Sequence, residues 1–172
     1  VGFNLYTQML AQAVEDQRAL RSGSCKEDRP FLRPETSIDL PLKAYIPGDY
    51  IPDTDLRLSI YQKLTGLSTA EQVNDLAVEL RDRFGEIPVQ AENLLYVVRL
   101  KCLAARAGIE SISTNGSVVT ARLFPGRQLN RQKLGPWYRY GIKAGISQLI
   151  VNIQRLGKDW QRFLEDIIRA MI

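Results

Sequence analysis

The side chains able to do chemistry in this sequence are carboxylates and cations, because the chain contains no histidine. That removes the commonest general base and the commonest metal ligand. Acid–base chemistry would have to come from carboxylates such as Asp53, Asp55, Glu79 and Asp82, and nothing in their spacing pairs them as a general acid and a general base. The sequence has neither a G-x-x-x-x-G-K-[ST] loop nor a G-x-G-x-x-G turn, so it offers no phosphate cradle. No catalytic residue, cofactor site or metal site can be assigned. Recognition chemistry is better represented. Glu71, Asp75, Glu79 and Asp82 fall on one side of a helix at about 100° per residue. This ridge reads either as a solvated face, with Glu79 and Arg83 as an i,i+4 pair, or as a docking surface for a basic partner.

The second charged feature is basic. No acidic residue occurs between Ser111 and Lys158, whereas Arg122, Arg127, Arg131, Lys133, Arg139, Lys143, Arg155 and Lys158 all do. Within it, Arg131, Lys133 and Arg139 alternate with Trp137, Tyr138 and Tyr140, the mixture a single-strand binder uses for phosphate contact and base stacking. The competing reading makes the rings core or loop anchors and the charges a solvated surface. The net charge over 172 residues is only +4, so the asymmetry lies in distribution rather than in total.

The elements that carry these residues follow from periodicity. Ser68–Gly85 reads as a helix, with Ser68 and Glu71 forming a capping box and Gly85 as a left-handed stop. Val73, Leu76, Ala77, Leu80 and Phe84 form its apolar seam, opposite the acids. A preceding helix begins around Pro52, buries Leu56, Ile60 and Leu64, and pairs antiparallel with it. Another opens at Pro88 and stops at Gly108. Ser37–Ile46 alternates as a strand that Pro41 confines to an edge or bulge. Two strands meet around Asn115-Gly116, and SQLIVNI supplies another. Pro125–Gly145 is irregular with a short helix expected over Asn130–Leu134, and Asp159 caps a last helix that buries Trp160, Phe163, Leu164, Ile167, Ile168 and Met171.

The expected architecture is α+β: a helical cluster, then a small, mostly antiparallel sheet closed by a C-terminal helix. Residues 1–21 read as a helix continuing from an upstream segment, 22–36 as a charged Gly/Pro linker, and 37–172 as the domain proper. Cys25 and Cys102 are too far apart in sequence to suggest a metal pair or a disulfide framework, and they read as free thiols of a reducing cytoplasm. No apolar run reaches membrane-spanning length.

Several of these segments together resemble a known family. VGFNLYTQML at the start, D-x-P-x-x-A-Y-I-P-x-D-Y-I-P-D over residues 39–53, R-L-x-x-Y-x-x-L over 57–64 and E-L-x-D-R-F-G over 79–85 are similar to the C-terminal domain of the bacterial transcription-repair coupling factors (Mfd). The resemblance holds to about Ile112 and thins beyond it, where only the order of strands and helix follows the family. Members are ATP-driven DNA translocases that act on stalled RNA polymerase in nucleotide excision repair, with the motor upstream. The resemblance implies a non-catalytic, autoinhibitory domain without cofactors, in a bacterial cytoplasm. It would dock on the N-terminal UvrB-like module of the same parent chain, in competition with UvrA, while other parts of the parent engage RNA polymerase and DNA. Glu79 and Asp82, flanked by Asp75, then become the docking residues facing arginines of that module. The alternative is a nucleic-acid-binding module using the stretch 122–143, with Arg131, Lys133, Trp137, Arg139 and Tyr140 in contact.

Overall fold

The computed structural model describes residues 36–172, so the expected helix over 1–21 and all but the last residue of the expected linker lie outside the described residues. Three helices come first: α1 (Thr54–Thr65), α2 (Ala70–Phe84) and α3 (Val89–Ala107). The sheet comprises β1 (Ser37–Ile38), β2 (Ile109–Asn115), β3 (Val118–Leu123), β4 (Lys143–Ala144) and β5 (Gln148–Asn152), in the spatial order β1-β2-β3-β5-β4. A one-turn helix α4 (Ile153–Leu156) and the closing helix α5 (Trp160–Met171) end the chain. The architecture is the expected α+β.

Helix α3 is the wall between two apolar clusters. One of its sides, with Leu100, Leu103 and Ala104, meets the sheet and α5 through Ile112, Val119, Leu149, Leu164, Ile167 and Ile168. Its other side, with Leu94, Leu95 and Cys102, meets Ile60 and Leu64 of α1 and Val73, Leu76 and Leu80 of α2. A helix buried from two directions needs apolar residues around most of its circumference, and VQAENLLYVVRLKCLAARA supplies them. Gly108 ends it at φ 76° and ψ 31°, a left-handed conformation natural to glycine, and the chain turns directly into β2. The β2–β3 hairpin turns at Gly116, which has φ 60°, as the Asn-Gly signal predicts.

Several local expectations are corrected. Only Ser37–Ile38 forms ladder pairs, and the pairing with β2 is parallel, so the sheet is mixed. Beyond Ile38 the alternation survives without the strand: Leu40, Leu42 and Ala44 still pack against the core, while Pro41 has no N–H and Leu42 N donates to Leu40 O. Thr36, placed at the end of the linker, is buried and donates its hydroxyl to Ile109 O at 2.8 Å. The capping box of α2 is one residue later than expected, with Thr69 and Gln72 in place of Ser68 and Glu71. Gly85 has positive φ (81°) but extended ψ (−157°), so it leaves the helix by a glycine-only conformation other than left-handed α.

Pro52 precedes the first turn of α1, and Asp53 is the N-cap. Residues 131–134 form turns rather than a helix, and a 3-10 segment follows at Gly135–Tyr140. Asp159 ends a 3-10 turn and makes no side-chain cap to α5.

Candidate docking surface and basic loop

The signature residues of 45–64 build the platform beneath α2. Ile51 is only 1% exposed, and Arg57 reaches back to donate to Ile51 O at 2.5 Å and Pro52 O at 3.0 Å. Asp53 accepts from the N–H groups of Asp55 at 2.9 Å and Leu56 at 3.1 Å, capping α1. Ile46 N donates to the Tyr61 hydroxyl at 2.8 Å. The Tyr50 hydroxyl donates to Leu80 O at 3.1 Å and Gly85 O at 3.3 Å, two carbonyls at the C-terminal end of α2. Its ring meets Phe84 edge-on, with centroids 6.0 Å apart. Burial pushes the Tyr50 phenol above its ordinary range. Helical periodicity does not single out Tyr50, Arg57 and Tyr61; the signal that could have found them was their place in the family phrases over 39–53 and 57–64.

Upon this platform α2 presents the acids outward. Glu71, Asp75 and Asp82 are exposed, and Val78, 53% exposed, lies between Asp75 and Asp82 on the same stripe. Among the described residues Asp75 and Asp82 form no ion pair. Glu79 differs. One carboxylate oxygen bonds Lys63 Nζ from α1, and the other bonds Arg83 Nη1 at 3.2 Å. The Lys63 hydrogen bond is the main reason its carboxyl lies below the usual carboxylate range, with Arg83 adding to the effect. The ridge is therefore uneven: Asp75 and Asp82 are open anions, while Glu79 is half neutralised within the domain.

The basic stretch is less open than its composition suggests. Leu134 is fully buried and anchors the 3-10 segment. Trp137 and Tyr140 fold inward on Phe163 of α5, with centroids 6.3 Å and 5.0 Å from it and 6.0 Å from each other. Arg139 lies over the Tyr140 ring at 4.8 Å, while Arg131 and Lys133 are exposed. The rings expected to stack on bases are thus engaged within the fold, and only Tyr138, 41% exposed, stands clear.

Among the described residues no acid–base pair emerges from the carboxylates the sequence offered. Asp53 is committed to its cap and Glu79 to its cations. A cleft of about 460 Å³ between α3 and α5 is lined by Tyr96, Arg99, Gln161, Arg162, Glu165, Asp166 and Arg169, none of which the sequence singled out. In it Glu165 joins Arg99 at 3.1 Å and Arg169 at 2.8 Å, a bridge that ties α3 to α5. Cys102 is buried, and desolvation raises its thiol above the ordinary value. Among the described residues no group of three His, Cys, Asp or Glu side chains could hold a metal ion, and no helix is long and apolar enough to cross a membrane.

Residues 40–134 match the TRCF domain family. Proteins named transcription-repair-coupling factor align over nearly the whole chain. One from Staphylococcus epidermidis is 34% identical over 179 residues, covering 99% of this chain and 15% of the relative. One from Staphylococcus haemolyticus is 34% identical over 180 residues, with the same two shares. A Staphylococcus aureus relative is 32% identical over 173 residues, covering 95% of this chain and 14% of its own length. The chain thus spans about 15% of the length of the relatives it matches. In fold it is similar to the crystal structure of the C-terminal domain of a transcription-repair coupling factor, with a TM-score of 0.65 and 23% identity over 79% of this chain and 89% of that one. The family match continues past Ile112, where the motif resemblance thins, and on these grounds the chain belongs to the transcription-repair-coupling factor family and carries its TRCF domain.

Proposed function

We propose that this domain is a regulatory docking module of a DNA-translocating repair factor, with no catalytic activity or cofactor of its own. Its partner is the N-terminal UvrB-like module of the same parent, and docking covers the surface that UvrA would use. RNA polymerase and the translocated DNA are engaged by other parts of the parent, in the bacterial cytoplasm. The module comprises residues 36–172, with Thr36 already packed on β2, and the residues before it join it to the motor segment. The observation that supports this reading best is the state of α2: open carboxylates at Asp75 and Asp82 flank an exposed Val78, on a helix fixed from below by Tyr50. An apolar centre with a charged rim is the anatomy of a reversible protein contact. Glu79 adds a carboxylate whose Lys63 and Arg83 contacts are surface ion pairs, each worth about 0–1 kcal/mol, so a partner's arginines can replace them.

The test is a titration of this chain against the separately prepared UvrB-like module at two salt concentrations. Saturable binding that weakens with salt, and falls at least about tenfold in Glu79→Arg/Asp82→Arg, is expected from reversing two rim charges. Wild-type affinity in the double variant refutes the reading. UvrA competes with the wild-type domain if the docking surface is the one proposed.

A further inference from the structure

The acid-free stretch remains unexplained by docking through α2, and its folding lays Arg155 against the loop that carries Arg139 and Lys143. Gly141 closes the 3-10 segment at φ 79°, with its N–H donating to Tyr138 O at 2.9 Å. Arg155, from α4, lies directly across it: a Cβ on Gly141 would be 2.8 Å from Arg155 Nη1 and 3.2 Å from its Cδ. Two residues before Gly141 is Arg139, its guanidinium seated on the Tyr140 ring, which Trp137 and Phe163 wedge in place. Two residues after it is Lys143, exposed on edge strand β4. None of these three cations is ion-paired to a described residue. The exposed Tyr138 stands beside them.

We propose that the surface around Gly141, formed by Arg139, Lys143 and Arg155, is a contact site for the phosphate backbone of nucleic acid. Exposed cations without an ion partner are free to neutralise phosphates, and a bound polyanion then releases its own condensed counterions. Two of the three groups are guanidinium forks, which match phosphate oxygens in bidentate geometry. The aromatic packing decides the mode. Trp137 and Tyr140 are half-buried against Phe163, which favours cation contact with the backbone, independent of sequence, over stacking on bases. This site is separate from the α2 ridge and does not depend on the docking reading.

The test is a fluorescence-anisotropy titration of the 172-residue chain with labelled mixed-sequence duplex DNA across a salt series. Three phosphate contacts give a log–log salt slope near −2.7, or roughly a 40-fold loss of affinity between about 50 and 200 mM salt. Arg139→Gln/Lys143→Gln removes two exposed cations without touching the core and brings the slope to about −0.9. Arg81→Gln on α2 leaves affinity within twofold of wild type, and a second duplex of different sequence binds equally. Absence of binding at low salt, or a slope unchanged in the double variant, overturns the proposal. Displacement of DNA by polyglutamate of equal charge concentration also overturns it, because the site would then take acidic polypeptide as readily as nucleic acid.

Discussion

Tyr50→Phe removes one oxygen and leaves the ring, so it isolates the hydroxyl that ties the signature loop to α2. That hydroxyl is shared between Leu80 O at 3.1 Å, near the C-terminal end of the helix, and Gly85 O at 3.3 Å, just past it. Both contacts are longer than an optimal O–H···O bond, so the pair counts as about one hydrogen bond. Its loss costs about 1 kcal/mol, because a neutral hydrogen bond exchanged with water contributes roughly that much net. The edge-on contact of the ring with Phe84 is kept. In a chain of 172 residues the melting temperature falls by about 3 °C.

The loss is concentrated where the hydroxyl acts. Hydrogen exchange of the Phe84 and Gly85 amides accelerates by about fivefold, while amides in α3 change only with global stability. Tyr50→Ala, which also removes the half-buried ring, costs about 2–3 kcal/mol. Urea unfolding and hydrogen exchange on the same samples provide the assay. A Tyr50→Phe protein within about 0.3 kcal/mol of wild type, with unchanged exchange at Phe84 and Gly85, refutes the claim that Tyr50 caps α2.

Three further outcomes follow from the same coordinates. Asp53→Ala deletes the α1 N-cap and costs about 1 kcal/mol by urea unfolding, whereas Asp53→Asn recovers most of it. Gly108→Ala forces a side chain into φ 76° against the Arg127 stem 3.2 Å away, and destabilises by about 1–2 kcal/mol in the same assay. Glu79 has a lowered folded-state pKa, so its small contribution is complete above the ordinary value of 4.5 and is lost as pH falls through the depressed one. Comparing wild type with Lys63→Met by urea midpoint from about pH 6 down to pH 2 exposes it: the Met variant loses less stability on acidification. With the Glu79 side chain 39% exposed, the difference is a few tenths of a kcal/mol at most.

The sequence alone determined the features that depend on short-range periodicity and turn chemistry. The seam Val73, Leu76 and Leu80 is buried, and the acids opposite it face outward, because a helical repeat fixes which residues share a side. Gly108 and Asn115-Gly116 marked real chain reversals, since positive φ is a local requirement that glycine meets at least cost. The family phrase was equally legible, although its physical purpose was not. Tyr50 capping α2 across 30 residues is a long-range contact that no local pattern encodes.

Tertiary structure decided the rest for the same reason. Whether 37–46 pairs as a strand depended on its contact with β2: Ser37 and Ile38 pair and Asp39 N reaches Ile112 O, before Leu42 N turns back to Leu40 O. Lys63 reaching Glu79 made one acid of the ridge unlike its neighbours, through a contact between helices. Trp137 and Tyr140 looked like stacking platforms in sequence, and Phe163, more than 20 residues later, made them anchors. Arg155 lies against the loop of Arg139 and Lys143 only because Gly141, with no side chain and a positive φ, leaves room for it. Periodicity assigns a side chain to a face; the packing of distant elements decides what that face meets.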